Sequence, residues 1–182
     1  MSRLRERIAE FAKDTRGNAS VEFVVVFPFI IAIFFMFGEI GVYTARTTLL
    51  KRGVDIAIRD IRLGINATAD PVEFRRTVCQ NAFLSNCEDD LTIDMSPIDV
   101  TARNSLSAPI ACRNRTDPNL TPVTGFDAGG EGDIILVRTC LIGSPAFPGV
   151  GLAVGLEESS GGYAIVVTSA FKNECSDLTN CT

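Results

Sequence analysis

The chain has 182 residues and a net charge of −5, with 17 Lys and Arg against 22 Asp and Glu and no histidine. That acidity excludes the nucleic-acid backbone as a main partner. Without histidine, acid–base chemistry falls to carboxylates or lysine, and only Lys51 and Lys172 lie beyond residue 17.

The charge is unevenly spread. Residues 1–17 hold Arg3, Arg5, Arg7, Lys13 and Arg16 against Glu6, Glu10 and Asp14, a balance of +2 that leaves −7 for the remainder. Ile8 and Phe11 sit among these charges, as in a short amphipathic leader. Phe23–Gly38 then carries no charge at all. With weakly polar flanks to Ala45, at about 1.5 Å per residue, a helix here can cross a bilayer core of roughly 30 Å. The basic flank is expected on the cytoplasmic side, and the acidic remainder on the other. A signal peptide cleaved after Ala45 would need a small residue where Tyr43 stands, so the span is read as retained.

Two acids mark this span. Glu22 lies at its entrance, where a carboxylate costs on the order of a few kcal/mol if carried to the centre. It is either a placed functional group or simply the start of the helix among headgroups. Glu39 lies between Gly38 and Gly41, whose small size lets another helix approach. Tyr43 and Arg46 follow on the same face, Tyr43 suited to the headgroup belt and Arg46 able to snorkel. Glu39 is expected either to pair with a basic or backbone group of a neighbouring subunit or to sit in interfacial water. A helix starting near Val21 reaches the far interface close to Glu39, which favours water. Pro28 removes one donor and predicts a modest bend.

The helical period continues past the span. Leu50, Val54, Ala57, Ile58 and Ile61 share one face, while Lys51, Asp55, Arg59 and Arg62 take the other. Gly64 ends the run, giving a helix over about Ala19–Leu63 near 65 Å long. Asp70-Pro71-Val72-Glu73 starts a second helix: Asp70 caps, Pro71 takes the first helical position, and Glu73 takes the capping-box position. Phe74, Val78 and either Phe83 or Leu84 form its predicted buried face. Alternation predicts strands at Leu91–Met95 and Ile98–Thr101, and stronger ones at Asp133–Ile142 and Gly161–Lys172. Residues 113–132 read as loop, and Asp127, Glu131 and Asp133 within them have the chemistry, but not the spacing, of a calcium loop. Gly143–Gly162 is a second loop, apolar through Phe147, Val150, Leu152, Val154 and Leu156. It is expected to fold back onto its own core, the alternative being a contact patch.

All six cysteines, Cys79, Cys87, Cys112, Cys140, Cys175 and Cys181, follow the span. An even number there, with none before it, fits an oxidising compartment. Near-neighbour pairing gives Cys79–Cys87, Cys112–Cys140 and Cys175–Cys181. Cys79 and Cys87 would be about 12 Å apart on one continuous helix, so their pairing requires that helix to end near Leu84. The expected fold is α+β: a long N-terminal transmembrane and amphipathic helix, then a small disulfide-bonded domain with a second helix and an antiparallel sheet. The expected parts are a leader at 1–17, a helix at 18–64 with its membrane part at about 21–45, and the domain at 65–182.

The stretch Arg16-Gly17-Asn18-Ala19-Ser20-Val21-Glu22, followed by Phe23–Gly38, resembles the processing region of type IV pilin-like proteins. In detail it is similar to the TadE/TadG-like pseudopilins of tight-adherence, Flp-type pilus systems. The resemblance covers roughly residues 13–64 and the tail Lys172-Asn173-Glu174. It implies cleavage by a prepilin peptidase between Gly17 and Asn18, and a role for Glu22 in helix registration during assembly. Family members often have a small apolar residue where this chain has Asn18, and a proline where it has Cys175. The implied partners are the peptidase, other pilins or pseudopilins, the inner-membrane assembly platform and membrane lipid, with no nucleic acid and no cofactor. The implied place is the inner membrane, with the domain in the periplasm or, once assembled, outside the cell. The implied function is that of a minor pilin in assembly or priming of an adhesive pilus. The alternative is a membrane-anchored periplasmic binding or adhesion domain that joins no filament. No Gly-x-Ser-x-Gly elbow, metal-ligand cluster or phosphate loop is present, and an enzyme is not expected.

Overall fold

The structure, a computed structural model, describes residues 18–63, 70–98, 109–117, 122, 124–130, 132–148 and 161–173. The predicted leader with Gly17, the strand residues Asp99–Thr101, and Cys175 and Cys181 lie outside these residues, as do Glu131 and Val150–Leu156.

Helix α1 spans Asn18–Arg62 and runs unbroken through Pro28. Its two halves have different surroundings. From Val21 to Ile40 most of the large apolar side chains are exposed, Phe34 at 70% and Phe37 at 69%, while Ile31 and Phe35 are half-buried. This half is long and apolar enough to cross a membrane. From Leu50 onward the same helix is the floor of a folded domain, with Leu50, Val54, Ala57, Ile58 and Ile61 buried. Between the halves, the hydroxyls of Thr44, Thr47 and Thr48 each donate to the carbonyl four residues back, at 2.8–2.9 Å. Polar groups at that level are thereby satisfied within the helix.

Helix α2 spans Pro71–Ala82 and starts as its cap chemistry predicts. The Val72 amide donates to Asp70 Oδ1 at 3.1 Å, while Glu73 pairs with Arg76 at 2.6 Å. The helix ends at Phe83, which is left-handed (φ 52°) and donates its amide to the Cys79 carbonyl. That turn, with a second left-handed residue at Asn86 (φ 55°), brings Cys87 to Cys79 with their Cα atoms 5.5 Å apart, and the two are disulfide-bonded. It also swings Phe83 off the buried face. Phe83 is 79% exposed, and Leu84 is the one of the pair that packs against the core. A short helix α3, Cys87–Asp90, leads into the sheet.

Strands β1 (Leu91–Pro97), β2 (Ile134–Gly143) and β3 (Tyr163–Lys172) form one antiparallel sheet in that order. Asp94 faces Arg138 across β1 and β2, and the two form a 2.6 Å ion pair. In β3 burial alternates strictly over Tyr163–Thr168, the mark of a strand with one covered face. That face, with Leu91, Ile93, Met95, Ile135, Val137, Leu141 and Ile165, meets α1 and α2 in a single core. The other face is partly covered by Pro109–Asp117, tied down by the Cys112–Cys140 disulfide and by the Arg113 amide on Thr92. Arg115 holds the same segment to Asp90 through Nε and Nη2 and to the Ile142 carbonyl. Its hydrogen bond to Asp90 raises the Arg115 pKa above the ordinary value, against the lowering effect of burial.

α1 and α2 approach closely at Gly53. A β-carbon there would lie 2.5 Å from the Val78 carbonyl oxygen and 3.2 Å from Ala82 Cβ. Only glycine fits this crossing.

Candidate functional site

The site candidates of the sequence fall into two groups on α1. Glu22 is exposed near the start of the helix, four residues from its first, with no hydrogen-bond partner among the described residues. Asn18 is the first helical residue. Among the described residues nothing covers this end, so whatever meets Glu22 comes from outside the domain or from residues beyond those described.

Glu39 is different. It is fully buried, and both its oxygens receive backbone amides: Ala146 N lies at 3.1 and 3.0 Å, and Phe147 N at 3.0 Å. This corrects the expectation of interfacial water for Glu39. It is not in interfacial water, and its backbone partners belong to its own chain. The physical reason is the loop after β2. Its apolar residues need cover, and the face of α1 carrying Gly38, Glu39, Tyr43 and Arg46 supplies it. The Phe147 ring lies 4.9 Å from that of Phe35, and Phe147 Cε2 sits 3.2 Å from where a Gly38 β-carbon would be. Charge-assisted bonds from two amides offset the desolvation of the carboxylate.

Arg46 holds the other end of the same strap. Its Nη1 donates to the Ser144 carbonyl and to the Tyr163 hydroxyl. The Tyr163 ring packs on Tyr43 at 5.6 Å, and the guanidinium carbon lies 5.9 Å from its centroid. Glu39 and Arg46 therefore do not pair with each other. They hold two points of one segment, Ser144–Phe147, along roughly 10 Å of helix.

The chain matches no protein-family model, no curated protein and no solved structure.

The remaining candidates are structural. Asp127 Oδ1 accepts the Gly129 amide and Asp133 Oδ2 the Gly130 amide, so both carboxylates serve their own turn. Gly129 there has φ 64°. Asn173, from the tail that carries part of the resemblance, is buried and donates its side-chain amide to the Ala128 carbonyl at 3.0 Å. Sequence reasoning placed Glu39 and Arg46 on one helix face and Phe147 in an apolar loop, but missed that this loop docks on that face. The one signal available was the apolar, proline-flanked Ser144–Pro148, which was too greasy for an isolated surface loop.

Proposed function

We propose that this protein is a minor pilin or pseudopilin of a Flp-type pilus. It would be cut between Gly17 and Asn18 by a prepilin peptidase, and its exposed helical half would move from lipid into contact with like helices of other subunits. The observation that carries the reading is the asymmetry of α1. One continuous helix is bare and apolar over its first half, carries a lone exposed acid near its start, and forms the floor of a folded domain over its second half. Such a rod can exchange lipid contacts for helix contacts without unfolding its head. Glu22 then sits where it can meet the amino group freed at Asn18 of an adjacent subunit, which fixes the stagger between rods. On this reading the basic leader stays in the cytoplasm and the cystine-bridged domain lies in the periplasm until assembly.

The test is the first residue of the protein recovered from its own cells. Asn18 is expected, and Met1 or Ser2 would defeat the reading. If the protein is instead an anchored domain outside any filament, Glu22→Ala will leave its function intact.

A further inference from the structure

A cleft of about 250 Å³ opens at the end of the domain nearest the bare half of α1. Arg46, Arg115, Ser85, Asn86 and Ser144 supply its polar wall, and Phe83 stands at its rim, 79% exposed.

Its charge is unbalanced. Arg115 is neutralised by Asp90, 2.5 Å away. Arg46 donates only to the uncharged Ser144 carbonyl and Tyr163 hydroxyl, and meets no carboxylate among the described residues. Glu39, the nearest acid along the same face, is turned onto the Ala146 and Phe147 amides. Among the described residues this half-buried guanidinium has no counter-charge, and a bound anion would supply one. The planar fork of arginine suits phosphate.

Its height is also set. If α1 spans a membrane, Ala19–Gly38 is about 30 Å long and fills the hydrocarbon. Glu39 then marks the boundary, and the Arg46 backbone lies roughly 10 Å beyond it. Helical side chains lean toward the N-terminus, and the Arg46 guanidinium bonds Ser144, two residues from the Ala146 amide on Glu39. The guanidinium thus falls between the two levels, in the headgroup layer of roughly 5–8 Å.

We propose that this cleft binds the phosphate of an anionic phospholipid from the leaflet that α1 leaves. Arg46 takes the phosphate, Ser85, Asn86 and Ser144 face the polar headgroup, and Phe83 meets the lipid beside it. Because Asp90 is occupied by Arg115, the described residues lining the cleft offer no acid for a choline or amine, which favours anionic headgroups. The proposal rests on α1 spanning a membrane and is independent of processing at Gly17 or of any filament.

The experiment is native mass spectrometry of the full-length, disulfide-bonded protein in mixed micelles of phosphatidylglycerol and phosphatidylcholine. One phosphatidylglycerol per chain is expected to be retained, with a preference of about tenfold or more over phosphatidylcholine. Ser85→Asp places a carboxylate at the mouth without touching the Arg46 bonds. It is expected to abolish the preference while leaving thermal unfolding unchanged. Arg46→Lys is expected to keep part of it, and Arg46→Gln none. Equal retention of the two lipids, a preference that survives Ser85→Asp, or displacement of the lipid by inorganic phosphate would each overturn the site. Extraction of the wild-type protein from membranes by alkaline carbonate would sink the membrane span and this site together. Firm membrane retention without lipid preference would sink the site alone.

Discussion

Glu39 brings a carboxyl group into a place without solvent, and two backbone amides hold it there. Replacing it by Gln preserves shape and can leave one oxygen to accept both amides, but it sets an NH2 group beside the Ala146 amide with no acceptor of its own. Glu39→Gln is therefore expected to lower the unfolding free energy by about 1–3 kcal/mol. It should also speed proteolysis within Ser144–Pro148. Denaturant titration in detergent checks the first effect, and cleavage mapping checks the second. Were Glu39 in interfacial water, neither would change. Gly53 gives a second test, one of sign. On an exposed helix Gly→Ala stabilises by about 0.4–1 kcal/mol. Here the added methyl would overlap the Val78 carbonyl, so Gly53→Ala is expected to destabilise by about 1–3 kcal/mol. A rise in melting temperature would mean the two helices are not held this closely.

At the scale of elements, the parts written in local chemistry were legible and the parts written in contacts were not. The 3.6-residue period of Leu50–Ile61, the Asp70-Pro71 start of α2 and the alternation in β3 each depend on neighbours a few residues away, and all three elements form within a residue or two of expectation. The end of α2 was legible only through the Cys79–Cys87 constraint, and the exposure of Phe83 follows from a left-handed turn that its residue type does not announce. The Glu39 strap joins residues 107 and 108 positions apart, and no local pattern encodes it. The two disulfides make a prediction about elements rather than residues. Chain-entropy arguments assign ~2.5 kcal/mol to the loop closed by Cys79–Cys87 and ~3.6 kcal/mol to that closed by Cys112–Cys140. Paired Cys→Ala substitution is thus expected to cost more for the second bridge, which also pins Pro109–Asp117 to β2. Denaturant midpoints in the opposite order would show that the segment holds its place through Arg113 and Arg115 instead.

For the whole molecule, the element long and apolar enough to cross a membrane and the floor of the domain core are one helix, and this has a consequence for what can fold alone. A soluble fragment is conventionally cut just after the apolar span and helix, here at residue 65. Such a fragment, 65–182, would lack Leu50, Val54, Ala57, Ile58 and Ile61, all buried at 6% exposure or less. Each is worth roughly 1.5–3 kcal/mol of burial for its larger members, and their loss bares the faces of α2 and the sheet that they cover. Domains of this size retain only about 5–15 kcal/mol of net stability. Fragment 65–182 is therefore expected to show no cooperative thermal transition and little near-ultraviolet dichroism. A fragment beginning at Arg46 keeps the buried stripe and the contacts of Arg46 with Ser144 and Tyr163. It gives up Glu39 but is expected to melt cooperatively with both described disulfides formed. If 65–182 instead folds as well as 46–182, α1 is an appendage to the domain and not its floor, and a pull on the helix would not reach the head.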